Sequence, residues 1–63
     1  MERLRELREE KGLSQAKLGE EIGVNQITIS QYERGAREPD FQILAKLCKF
    51  FDVTAGYLLG MED

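Results

Sequence analysis

The chain has no histidine, no tryptophan, one cysteine and one proline in 63 residues. A lone thiol and no imidazole exclude an internal disulfide and leave no credible zinc site. No stretch approaches the roughly 20 consecutive apolar residues that a membrane-spanning helix needs, and no secretory leader is recognisable. Nor is there a nucleophile–base pair, a metal-ligand cluster or a glycine-rich phosphate loop of the kind an enzyme would require. The expectation is a cytoplasmic protein that works without cofactor, metal or membrane. A reducing compartment suits its single thiol. Cys48 falls within an apolar helical pattern and reads as a small core hydrophobe rather than a nucleophile. At this length the chain makes a single domain, residues 1–63, near the lower end of what folds without crosslinks.

The net charge of −3 counts against a polyanionic partner, because a phosphate backbone rewards clustered Lys and Arg. Its distribution softens the objection. Residues 22–37 carry two basic side chains and one acidic, whereas residues 38–63 carry two basic and five acidic. The excess acid therefore sits mainly towards the far end of the chain.

Every element reads as helical, and no period-2 strand, repeat or low-complexity segment appears. From Met1 to Lys11, Leu4 and Leu7 lie one turn apart on an otherwise charged helix that Gly12 can end at positive φ. Ser14 is an N-cap for a second helix over Gln15 to Ile22, whose Ala16, Leu18, Gly19 and Ile22 are expected to face neighbours. Gly19 costs about 1 kcal/mol relative to alanine inside a helix, so close approach by the next helix is the simplest reason for it. Gly23 is placed to end that helix in the left-handed region, and Asn25 caps a third helix from Gln26 to Glu33.

This third helix is expected to bury Ile29 and Tyr32 and to leave Gln26, Ile27, Ser30 and Gln31 in water. An outward face that is polar, almost uncharged and carries an isoleucine is what reading base edges would require. A loop with Gly35 and Pro39 follows. The fourth helix, starting near Pro39 or Asp40, sets Phe41, Leu44, Ala45, Leu47, Cys48 and Phe51 on one apolar arc. Thr54 then caps a last short helix through Leu59, ended by Gly60.

The run Leu7-Arg8, Lys11-Gly12-Leu13-Ser14-Gln15, Leu18, Ile22-Gly23-Val24 and Ile29-Ser30-Gln31-Tyr32-Glu33-Arg34-Gly35 resembles the lambda-repressor-like, or Cro/XRE-type, helix-turn-helix family. Pro39, Leu44-Ala45 and Tyr57-Leu58-Leu59-Gly60 extend the likeness over nearly the whole chain. The resemblance implies an all-α domain of five short helices, with the helix-turn-helix at helices 2 and 3, about residues 14–33. In that family the third helix enters the major groove while the second lies across the backbone.

Carried over by position, Gln26, Ile27 and Gln31 are the base-contacting residues. Glutamine suits adenine N6 and N7, and isoleucine suits a thymine methyl. Gln15, Arg34 and Arg37 match backbone contacts, with Thr28, Asn25 and Lys17 as weaker candidates. Arg8 and Glu33 match a structural salt bridge. Gly19 departs from the family's usual alanine.

The expected partner is double-stranded DNA, bound by a bacterial or phage transcriptional regulator, a repressor acting on a palindromic operator. A domain this small covers a half-site, so a homodimer follows, with Tyr57, Leu58 and Met61 as its contact. The competing reading keeps the fold but makes it a protein-interaction module of the antitoxin or anti-repressor type, which the net acidity favours.

Overall fold

The structure, a computed structural model, describes residues 1–62. Five helices follow in order: α1 (Glu2–Glu10), α2 (Gln15–Ile22), α3 (Gln26–Arg34), α4 (Phe41–Phe51) and α5 (Ala55–Leu58). There are no strands among the described residues, and no helix among them is long and apolar enough to cross a membrane. The all-helical architecture expected from periodicity and caps is the one observed.

Side-chain caps set most of the boundaries. Ser14 accepts from the Lys17 N–H at 3.0 Å, Asn25 from Thr28 at 2.7 Å, Asp40 from Ile43 at 2.9 Å and Thr54 from Tyr57 at 3.0 Å. Each satisfies an orphan donor of a first turn, typically stabilising the helix by about 1 kcal/mol. The third helix runs one residue beyond Glu33, to Arg34, and is stopped by Gly35 at φ 74°. The last helix ends at Leu58, one residue short of expectation.

Leu4, Leu18, Ile22, Ile29, Tyr32, Leu47, Phe51 and Leu58 form the buried core, one or more from each helix. Burial of an aliphatic side chain of this size is worth about 1.5–3 kcal/mol. The apolar arc of α4 is only partly used. Leu47 and Phe51 are buried, and Ile43, Leu44, Cys48 and Phe50 pack against the core. Phe41 remains 83% exposed, and Ala45 and Ala16 are also exposed. Helical periodicity reports which side of a helix is apolar, but the packing of the other elements decides how much of that side is covered.

The α2 to α3 turn is closely packed. Gly23, at φ 92°, donates its N–H to the Gly19 carbonyl at 2.7 Å, and Val24 donates to the same oxygen at 2.9 Å. This folds the chain back over Gly19, so that a Cβ there would stand 2.5 Å from the Val24 carbonyl oxygen. An alanine at position 19 would therefore oblige the backbone of this turn to shift.

Candidate nucleic-acid interface

The outer face of α3 is built on a core-locked helix. Ile29 and Tyr32 anchor its inner side at 0% and 3% exposure, and the Asn25 cap holds its first turn. Gln26 and Ile27 project from that turn into solvent, Ile27 at 68% exposure. Ser30 and Gln31, one turn further on, are half-buried, so Gln31 is less free than its place on the polar face suggested. Ser30 shares this face at helical spacing from Gln26 and Ile27.

The backbone candidates separate by environment. Arg34 and Arg37 are exposed at the end of α3 and in the loop beyond. Lys17 is exposed beside Glu21 at 3.7 Å, and Asn25 is exposed while its side chain caps α3. Thr28 is the least accessible of these candidates. It is 8% exposed, because the residue that receives the Asn25 cap also turns inward, leaving it little surface for a backbone contact.

Gln15 is half-buried at the start of α2 and donates from Nε2 to Glu33 Oε1 at 3.1 Å. The same carboxylate accepts from Arg8 through Nε at 2.6 Å and Nη2 at 3.2 Å, a bidentate pair in which the side chains are only 11% and 5% exposed. Arg8 also donates from Nη1 to the Leu13 carbonyl at 2.7 Å. One guanidinium–carboxylate pair therefore ties α1, the α1–α2 connection, the first residue of α2 and the last turn of α3 together. The Glu33 hydrogen bond raises the Arg8 pKa, against the opposing effect of burial, so the guanidinium stays charged. No buried side-chain polar atom among the described residues lacks a partner. Around this pair, Arg5, Arg8, Gln15, Ser30, Glu33 and Arg34 line one shallow polar depression.

The expected dimer contact also divides. Leu58 is 1% exposed and belongs to the core, since the inner side of so short a helix has to close it. It is not a surface residue for a second subunit. Tyr57 is half-buried beneath Arg3, whose guanidinium lies 4.4 Å from the ring centroid, and Met61 is 79% exposed.

A helix-turn-helix family model matches residues 4–58. Among curated proteins, the chain is 36% identical over 61 residues to the HTH-type transcriptional regulator ImmR of Bacillus subtilis, covering 97% of this chain and 48% of that protein. It is 39% identical over 62 residues to the HTH-type transcriptional activator BcrR of Enterococcus faecalis, covering 98% of this chain and 30% of the relative. With Repressor protein C2 of Salmonella phage P22 it shares 40% identity over 58 residues, 92% of this chain and 27% of the repressor. The chain spans about half the length, or less, of these relatives. The P22 c2 repressor protein, solved in complex with a synthetic operator, superposes with a TM-score of 0.90 at 38% identity, over 97% of this chain and 92% of that one.

Proposed function

The chain belongs to the lambda-repressor-like, Cro/XRE-type helix-turn-helix family, and from that premise we propose that it is the DNA-reading domain of a bacterial or phage transcriptional regulator. Its relatives are regulators rather than enzymes, and it acts by binding. The observation that carries the reading is the first turn of α3. A nearly uncharged surface with an isoleucine left 68% in water has no structural use on this helix, but it suits the floor of a major groove.

In this reading Gln26 and Gln31 bond adenine edges, Ile27 packs on a thymine methyl, and each good bidentate contact discriminates by about 1–3 kcal/mol. Gln15, Arg34 and Arg37 hold the phosphates that register α3 over its bases, with Asn25 and Lys17 at the margin. Residues 1–63 act as one domain in the cytoplasm, where the genome is. A domain 27 Å in its longest dimension covers one half-site, so two copies on a palindrome, half-sites about 34 Å apart, give the complete complex. Met61, with Leu59 beside it at 45% exposure and the edge of Tyr57, is the surface on which copies meet. Blocking a promoter by occupying such an operator makes repression the simplest action.

Selection from a random duplex pool tests the reading. Enrichment of a palindrome whose A·T positions lose their preference in Gln26→Ala and Gln31→Ala is the expected result. Unchanged selected sites in those variants would remove the base assignments. No enrichment at any salt concentration would instead favour a protein partner, which the net charge of −3 would suit.

A further inference from the structure

The chain carries nine cations against twelve acids, so a cation without an acid beside it is the one freest to meet an anion from outside. Arg5, Arg8 and Lys17 are paired with Glu9, Glu33 and Glu21, and Arg3 is folded over Tyr57. Arg34 and Arg37 are assigned above to phosphates. That leaves Lys11, Lys46 and Lys49, all exposed and none in an ion pair among the described residues. Lys11 caps α1 and the other two belong to α4, yet all three gather at one aromatic ring. Lys46 and Lys49 line a groove together with Phe50, and Lys11 Nζ lies 5.5 Å from the centroid of the same ring.

Ile22 and Glu21 complete the lining of this groove, which encloses about 420 Å³ between the last turn of α2 and the second half of α4. Its floor is apolar and fixed. Ile22 is 3% exposed, and the half-buried Phe50 ring stands edge-on to Phe51, with centroids 5.0 Å apart at 84°. A large apolar side chain laid on that ring displaces water without disturbing the core, so little ordering cost is added. Glu21 is the one acid on the lining, and Lys17 at 3.7 Å partly offsets it. None of the residues assigned to DNA lines the groove.

We propose that this groove docks an acidic segment of a partner protein, which lays a large apolar side chain on Phe50 and offers its carboxylates to Lys46, Lys49 and Lys11. A duplex backbone brings charge but no apolar group, and would leave the Phe50 ring uncovered; an acidic peptide with an apolar anchor satisfies both halves of the surface. Each lysine is a point charge on a flexible stem, so three of them can follow carboxylates whose spacing is not fixed in advance. A groove of this size takes a short segment with one or two anchors. The inference goes beyond the DNA-binding reading and stands without it.

Selection of a displayed pool of random short peptides on the full chain is the test. Enriched peptides are expected to combine carboxylates with a phenylalanine, leucine or tryptophan. The strongest of them, labelled, is then titrated against the parent and the Lys46→Glu/Lys49→Glu variant. Binding at least about tenfold weaker is expected in the variant, where two attractions become two repulsions. Alanine at the apolar position of the peptide is expected to cost at least about tenfold as well. In the parent, the bound peptide shifts the Ile22, Lys49 and Phe50 amide resonances. Both lysines are exposed, so the urea midpoint of the variant stays near the parent value and separates a lost contact from a lost fold. No enrichment, enriched peptides without carboxylates, or equal binding by the charge-reversed variant would overturn the proposal. So would polyglutamate binding as tightly as the peptide, since the ring would then play no part. A duplex that displaces the peptide and binds the variant more weakly would make the groove a nucleic-acid surface, and the proposal would be wrong. The peptide selection contains no DNA, so a parent chain that binds no duplex would remove the earlier reading and leave this one standing.

Discussion

Replacing Arg8 alone is expected to damage the fold more than replacing Arg8 and Glu33 together. In Arg8→Met the Glu33 carboxylate, 5% exposed, loses its bonds at 2.6 and 3.2 Å and keeps only the one from Gln15 at 3.1 Å. Stranding a buried charge in this way costs about 3–5 kcal/mol. A chain of this size has about 3–9 kcal/mol of stability to lose, at about 0.05–0.15 kcal/mol per residue. Arg8→Met should therefore approach complete unfolding at 37 °C. Glu33→Leu should come close to it, since Arg8 would keep only the Leu13 carbonyl.

The double variant leaves no buried charge. Well-packed apolar replacements of buried pairs are commonly neutral or stabilising, so its loss should stay within about 1–2 kcal/mol of the parent. Urea unfolding followed by far-ultraviolet circular dichroism, at low temperature and with a stabilising osmolyte so that the single variants remain folded, closes the cycle. A coupling energy of at least about 2 kcal/mol is expected. Additive single effects, or a loss below about 1 kcal/mol in Arg8→Met, would refute the assignment of this pair as the clamp between α1 and α3.

Three further outcomes are expected. Gly19→Ala should lose about 1–3 kcal/mol in urea unfolding, despite a helix-propensity gain of about 1 kcal/mol, because its Cβ would meet the Val24 carbonyl oxygen at 2.5 Å. A gain in stability would show that the turn yields freely. Ile27→Ser should leave stability within about 0.5 kcal/mol, as its side chain is 68% exposed, while weakening binding to the selected duplex. An equal loss on unrelated duplexes would contradict a thymine contact. Burial pushes the Cys48 thiol above its ordinary pKa of 9.0. The unfolded chain then releases the proton first, so this contribution is intact below about pH 9 and is lost as pH rises through the folded-state value. Cys48 should alkylate slowly at pH 8 until urea is added, and the urea midpoint of Cys48→Val should fall less than the parent's between pH 8 and 10.5.

Much of the fold could be read from local chemistry. Ser14, Asn25 and Thr54 cap the helices they precede, and Gly23 takes the left-handed conformation its position required. These are contacts within three or four residues, so neighbouring side chains suffice to specify them. Burial was less legible. Thr28 and Leu58 are buried while Phe41, Ala16 and Ala45 are exposed, because the cover over a helix face comes from other parts of the chain and not from its own periodicity.

The sequence alone therefore determined that this protein is five short helices around a small apolar core, with an uncharged, isoleucine-bearing turn at the start of α3, because periodicity, capping and composition are local. Only the tertiary structure decided that Glu33 holds Arg8 and Gln15 at once, that Leu58 is core, and that Arg5 of α1 shares a depression with Arg34 of α3. Those facts join residues 25 or more positions apart, or residues on separate helices, and no spacing along the chain encodes the angle at which two helices cross.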